Sequence, residues 1–486
     1  MKTMKHIIWM AALVLTAATW SACSNREDIT VTEKPEQPRT FTVTTTLSPR
    51  NGVATRSTMT DNGDGSISAT WEVGDQIWVS YHSINGNHIE YVKTTAEVTA
   101  VNPLTKAATI TLTLTDPWDG GDIDFGYPRS YWERTKDEHT DQKGTLDDIN
   151  ANFAAITGGG QMTVSDSDVT LPAVTMEPWM CIWKFSFTDG ENDITSAITK
   201  LVINFPEDDY EPPYVVTPSS LGTIYVALCA TVPFNAQPIC ITAQTASGVY
   251  RKTATSATLA AGLTYTSAGL ALTSAAIANA VAGDIGKLIG VDGNIYPNAD
   301  IATAFGTTGV AMIAYVGSST GEAAPYNHGL ALALSDANSG NKCQWKSPSS
   351  LVHAYQATNA SFASESGLQY NSYTPDHNTD TYPAFKAAMA NNGTAAPTGC
   401  SAWFLPTGYQ WNQMINACKN VLGTKNSCED LRDGFSGIGG TNLQWDNYFS
   451  STEWDEYNAW YYYFYNGKWG GIYKYNRCYV RSALAF

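Results

Sequence analysis

Charge is scarce in this 486-residue chain, and positive charge is scarcest: charged residues make up 15%, with 28 Lys and Arg against 45 Asp and Glu. The resulting net charge of −17 leaves no basic stripe to release counterions, which excludes nucleic acid as a partner. Nine cysteines and seven histidines include no CxxC, no Cys/His metal spacing and no HExxH, so no metal centre or cofactor is expected. Without a nucleophile–base pair or a carboxylate dyad at an interpretable spacing, the chain reads as a non-enzyme. Beyond the first 23 residues, no run is long and apolar enough to suggest a membrane-spanning helix.

Glycine (39 residues), Thr, Ser and aromatics (12%) are plentiful instead, which suits a β-rich surface protein better than a helical enzyme. A chain of this length divides into two to four domains, and composition suggests three. Residues 1–23, "MKTMKHIIWMAALVLTAATWSAC", carry lysines at 2 and 5, an apolar run over 7–14 and small residues before Cys23, the pattern of an export signal. The closing "WSAC" resembles a bacterial lipobox, with Trp20 where Leu is usual; the resemblance implies cleavage before Cys23 and lipidation of that residue. Each buried CH₂ of an acyl chain contributes about 0.8 kcal/mol, so several chains make a firm outer-membrane anchor. Residues 24–40, polar and Pro-containing, read as a flexible tether.

From 41 to 275 the hydrophobic period is two. "FTVTTTL", "SISATWEVGDQIWVSY", "ATITLTLT", "WKFSFTD", "KLVINF" and "TIYVALCATV" alternate or run apolar over strand length between Gly, Asn, Asp and Pro clusters. In "ATITLTLT", Ile110, Leu112 and Leu114 share one face while the threonines face water. Two β-sandwiches are therefore expected, over 41–160 and 161–275, with the break at the glycines of "TGGGQ". After 284 Trp, Tyr, Asn and Gly rise. Two helices are expected there: "TYPAFKAAMANNG", with Pro383 near its start and Gly393 beyond its end, and "LPTGYQWNQMINACKNVLG", with Thr407 as N-cap. In the second, Trp411, Met414, Ile415, Cys418 and Leu422 share a face, and 284–486 reads as α+β.

Two resemblances follow from these motifs. Residues 41–275, through "ATRSTMTDNGDGSISATWEVGDQIWVSY" and chiefly its "TWEVGDQIWV" core, resemble the fimbrillins, which build type V pili on Bacteroidales-like bacteria. Residues 284–486, through "GKLIGVDGNIY", "VAMIAYVG", "HGLALALSDA", "AWFLPTGYQWNQMI", "YFSSTEWDEYNAW" and "YVRSALAF", resemble C-type-lectin-like modules. The first resemblance implies a pilin whose N-terminal strand is removed by a protease cutting after an arginine. The groove so opened takes a strand from the next pilin, which satisfies an otherwise open sheet edge. Arg39, Arg50 and Arg56 are the candidate cut sites, with Arg50 favoured because "LSPRNG" reads as an accessible turn. Val480, Ala483 and Phe486 of "YVRSALAF" read as a packed closing strand, which implies a subunit that accepts a strand without donating one, as a pilus-tip adhesin does. An anchor or purely structural fimbrial subunit is the alternative. The lectin-like fold is shared with formylglycine-generating oxidases, but Cys478 after "NR" reads as half of a disulfide and not as a reactive thiol.

The stretch "EWDEYNAWYYYFYNGKWG" places nine aromatic rings in eighteen positions over 453–470. If 459–465 is a strand, Trp460, Tyr462 and Phe464 share a face, and the family pattern implies that this face is core. Trp454, Asp455, Glu456, Tyr457, Tyr461, Tyr463 and Trp469, with Tyr465, are then the candidates for an outer surface that binds a glycan or a host protein. Packing of the same rings against the rest of the protein is the alternative. Asp446, Asn447, Asp455 and Glu456 could offer oxygens to calcium, but the Glu-Pro-Asn type motif of calcium-dependent sugar binding is missing, so a calcium-independent site is expected. The eight cysteines after Cys23, five of them beyond residue 340, suggest disulfides that staple the C-terminal part.

Overall fold

A computed structural model describes residues 38–49, 58–64, 67–85, 88–133, 137, 139–205, 212–230, 234–347, 367, 380–423 and 428–486. The chain is mainly β, with helices concentrated in its last third. Cys23, Arg50 and Arg56 lie outside the described residues.

Strand β1 (Thr40–Pro49) opens the first unit. A short hairpin of β2 (Thr58–Asp61) and β3 (Ile67–Thr70) follows, then β4 (Gln76–Asn85), β5 (His88–Val101), β6 (Ala108–Thr115), β7 (Asp122–Tyr127), β8 (Ile156–Gln161) and β9 (Val174–Pro178). Hydrogen bonding closes seven of these strands into a ring in the order β1-β9-β8-β7-β4-β5-β6. The alternation read in the sequence sets their inner face: Val43, Thr45 and Leu47 of β1 and Ala108, Ile110, Leu112 and Leu114 of β6 are buried, while Thr42, Thr44 and Thr46 are exposed.

The glycines expected to mark a domain break instead form strand β8, paired with 123–125 of β7. The boundary expected at 160 moves to about Pro178, because β9 inserts between β8 and β1 and its Val174 and Met176 complete the barrel core.

The second unit is a two-layer sandwich. One sheet has β10 (Met180–Thr188) between β12 (Ile224–Cys229) and β15 (Thr264–Ala271); the other is built on β11 (Lys200–Asn204), β13 (Phe234–Thr245) and β14 (Gly248–Leu259). Phe185, Phe187, Leu201, Ile203, Tyr214, Val226 and Ile241 fill the space between them.

A smaller core of Met59, Tyr131, Phe153, Met180 and Ile182 joins barrel to sandwich. The β2 hairpin is fastened to the sandwich there: the Asp61 carboxylate accepts from Lys184 of β10, from the Tyr225 hydroxyl of β12 at 2.6 Å and from the Gly63 amide. These bonds, Lys184 foremost, hold the Asp61 pKa at about 2. A depressed carboxylate pKa stabilises the fold above the ordinary value near 4 and loses that contribution as pH falls through about 2. Asp61→Asn is therefore expected to lower the thermal midpoint at pH 7 and to matter much less at pH 2.5, as measured by parallel melts of the two proteins.

The third unit contains β16 (Leu288–Gly290), β17 (Gly309–Val316), β18 (Gly329–Ala333), α1 (Pro383–Ala390), α2 (Gly408–Leu422), β19 (Asn447–Glu453), β20 (Asn458–Tyr463), β21 (Lys468–Tyr473) and β22 (Ala483–Ala485). Both helices fall where the sequence places them. Pro383 is the first residue of α1, and Thr407 caps α2 by accepting from the Gln410 amide while the Gln410 side chain accepts from the Thr407 amide. Trp411, Met414, Ile415 and Cys418 are buried against β17 and β19. Val202 and Val249 of the sandwich belong to the same core, and Asp284 ties the two units together by accepting from Arg251 and Lys287. Among the described residues, no helix is long and apolar enough to cross a membrane.

Candidate functional site

The aromatic stretch forms β20, the middle of a three-stranded sheet β19-β20-β21. Tyr462 and Phe464 point into the main core beside Trp411 and Tyr448. Ala459 and Tyr461 turn to the opposite side, against a second small core with Trp345, Phe385, Leu405, Phe449 and Val480. Both faces of the strand are thus occupied, and Tyr461, expected on the outer surface, is half-buried packing.

Trp460 departs from expectation in the other direction. Expected in the core, it is only half-buried and stacks on the exposed Trp454 at 4.1 Å between ring centroids, with Trp469 edge-on at 6.2 Å. Trp469 in turn meets Tyr462 at 5.1 Å and donates its indole N–H to Asn412 of α2 at 2.9 Å. A continuous aromatic column therefore runs from the buried Phe464 out to Trp454. Its outer end can lie flat because Gly471 pairs with Trp460, and a Cβ there would collide with the Trp454 ring.

Asp455 and Glu456 occupy the turn that joins β19 to β20. Asp455 Oδ1 accepts the amides of Tyr457 and Asn458 at 2.8 and 2.7 Å, and both of its oxygens accept from the Asn458 side chain. Burial opposes its ionisation, but the Asn458 and Tyr457 donors outweigh that and keep the carboxyl below its ordinary pKa. Beneath the turn the buried Lys474 ammonium donates to Glu453 Oε1 at 2.7 Å and to the Glu456 carbonyl at 3.0 Å. The turn is braced from below, so it presents Trp454 and Tyr457, 44% and 46% exposed, on a fixed backbone.

Tyr463 lies at the other end of the strand, where it stacks on Tyr465, which is 64% exposed and borders Trp445. Tyr473 and Tyr475 form a further exposed stacked pair. The seven candidate ligand-binding residues are therefore not one constellation: Trp454 and Trp469 meet through Trp460, Asp455, Glu456 and Tyr457 border them, and Tyr461 and Tyr463 lie apart. The sequence signal for the role of Trp460 was the Gly470–Gly471 pair opposite it. The oxygens considered for calcium do not converge either. Asp446 and Asn447 stand at one end of the seven-residue β19, Asp455 and Glu456 beyond the other, and Asp446 is paired with Lys342 at 2.6 Å.

A second candidate feature is the seam occupied by β1. Eight consecutive residues, 40–47, pair antiparallel with β6, and Leu47–Pro49 pair parallel with Val174–Met176 of β9. Arg39 precedes the strand and is pinned: its amide donates to Asp116 Oδ1 at 2.8 Å and its carbonyl accepts from the Asp116 amide. Arg50 and Arg56 follow the strand in sequence.

Disulfides were expected to staple the C-terminal part, but the structure contains none among the described residues. Most of the cysteines after Cys23 are packed as small apolar side chains, including Cys343 and Cys478, which face each other across a short ladder. Burial pushes Cys181, Cys343, Cys400 and Cys478 up to about 12, the opposite of the shift that makes a thiol reactive.

No family model and no curated protein matches the chain. Among solved structures it is similar to a fimbrial protein from Bacteroides ovatus, with 13% identity, 91% of this chain and 99% of that one covered, and a TM-score of 0.29. It is also similar to the tip fimbrial protein Mfa3 from Porphyromonas gingivalis with C-terminal truncation, with 9% identity, 44% of this chain and 81% of that one covered, and a TM-score of 0.23.

Proposed function

We propose that this chain is a cell-surface pilus subunit that accepts a strand from a neighbouring pilin, sits at the pilus tip, and binds a glycan or host protein through its C-terminal unit. The observation that carries this reading is the engagement of β22 on both edges. One edge pairs with β18, and the other exchanges bonds with Ser401 and Phe404. A strand so engaged is unavailable to complete a neighbour's sheet.

The accepting side is the β1 seam. Cleavage after Arg50 or Arg56 would separate β1 from the rest of the chain and leave the edges of β6 and β9 for an incoming strand, whereas cleavage after Arg39 would leave β1 in place. The incoming strand must supply inward apolar residues where Val43 and Leu47 now sit. In this reading Cys23 carries the lipid that holds the uncleaved precursor at the outer membrane, and the expected tether of 24–40 ends at Arg39, because Thr40 already belongs to β1.

The end of the aromatic column is the ligand surface. A flat indole pair beside carboxylate and amide groups suits the C–H face of a sugar or a protein side chain. Trp454→Ala in the full chain is expected to weaken binding on a glycan array or to immobilised matrix proteins about tenfold, with or without chelator. Binding unaffected by Trp454→Ala would overturn the assignment of this surface. Absence of binding to either class would leave a structural or anchor subunit.

A further inference from the structure

We propose that the third unit holds a second ligand site, separate from the aromatic column, that takes a sugar bearing a carboxylate. An open cleft of about 460 Å³ lies between α1 and the ladder formed by Cys343–Gln344 and Arg477–Cys478. That volume is within the range of about 300–1,000 Å³ for small-molecule sites.

Its charge is opposite to that of the chain. Among the described residues Lys342, Lys386 and Arg477 line it against a single carboxylate, Asp380, whereas the whole chain carries −17. Lys342 and Lys386 are each paired, with Asp446 at 2.6 Å and Asp380 at 2.8 Å. Among the described residues the Arg477 guanidinium has no hydrogen-bond or ion-pair partner, although the strand ladder fixes its backbone beside Gln344. An uncommitted planar fork beside a polar cleft is suited to a carboxylate, which it can hold through two parallel hydrogen bonds.

The opposite wall is rigid and rich in amides. Two turns, 338–340 and 391–393, have left-handed backbone throughout and are stapled together. Asn392 Oδ1 accepts the Ser339 amide at 2.8 Å, and Asn392 Nδ2 donates to the Asp336 carbonyl at 2.8 Å. Amides and a hydroxyl interleaved with cations, with no aromatic ring among the described lining residues, fit a polyhydroxylated acid better than an apolar or purely anionic ligand. The protein's overall negative charge works against long polyanions, which favours a single acidic residue of a glycan.

Titration of the full chain with methyl glucuronide and with the methyl glycoside of N-acetylneuraminic acid, using methyl glucoside as uncharged control, tests the assignment. At least one acid is expected to bind at least tenfold more tightly than the control, with affinity that falls as salt rises. Arg477→Gln is expected to remove about tenfold or more of that affinity, and Lys386→Gln less, while thermal midpoints stay within a degree or two because Arg477 is exposed. Trp454→Ala is expected to leave acid binding unchanged, which separates this site from the aromatic one. Equal binding of acid and control, or acid binding indifferent to Arg477→Gln, would overturn the proposal.

Discussion

Deletion of residues 483–486 is expected to unfold the third unit. Ala483, Leu484 and Ala485 are fully buried and Phe486 is 3% exposed, so the segment is interior rather than tail. Leu484 and Phe486 alone contribute about 3–6 kcal/mol of apolar burial, at about 1.5–3 kcal/mol each. That is comparable with the whole margin of about 5–15 kcal/mol by which a domain is stable. The deletion also removes the partner strand of β18 and leaves the His328 and Gly329 amides without the Phe486 carbonyl that accepts them at 2.7 and 2.9 Å. Loss of the near-ultraviolet signal of the buried tryptophans and rapid proteolysis beyond residue 284 would show the effect. A deleted protein with native melting and native protease resistance would mean that the segment is dispensable, as a donor strand is in an unassembled subunit, and the tip assignment would fall.

Arg481→Ala is the second change with a large expected effect. Arg481 is fully buried; Nε donates to Asp336 Oδ1 at 2.8 Å, and its other nitrogens donate to the Ala333 and Thr441 carbonyls at 2.9 Å. Tyr448 donates to the other Asp336 oxygen at 2.9 Å. Removing the guanidinium leaves the buried Asp336 without its counter-charge and Asp336 Oδ1 and two carbonyls without their Arg481 donor, a loss of about 3–5 kcal/mol. The sign of its pH dependence follows from Asp336. Burial already raises that carboxyl, with Arg481 and Tyr448 opposing, and loss of Arg481 raises it further. A group whose folded pKa is raised gives stability at low pH that is lost as pH rises, so the variant is expected to be less damaged at pH 5 than at pH 7. Equilibrium denaturation at the two pH values measures this, and adding Asp336→Asn to the variant should recover part of the loss. Destabilisation below about 1 kcal/mol at pH 7 would show that the pair is not the brace described.

The elements legible in the sequence are those whose signal is local. Alternation placed the inner faces of β1 and β6, and Thr407, Pro383 and the spacing of Trp411, Met414, Ile415 and Cys418 placed two helices, because caps and periodicity act within a few residues. The candidate site was legible as composition and not as arrangement. Nine rings in eighteen positions announced an aromatic surface, but the strand period alone assigns Trp460 and Tyr462 to one face without saying where along it the core ends. Trp460 lies past that edge, where the cover from α2 reaches Trp469 through Asn412, so it stacks outward on Trp454.

The sequence by itself determined a β-rich, acidic chain with a mixed C-terminal part, since strand period, helix caps and net charge are properties of neighbouring residues or of the sum. Only the tertiary structure decided that β9 closes the barrel beside β1, that Arg481 meets Asp336 across 145 residues, and that Cys343 faces Cys478 across a short ladder. Each of those depends on which distant segments share a core, and that choice is made by burial summed over many side chains rather than by any one stretch.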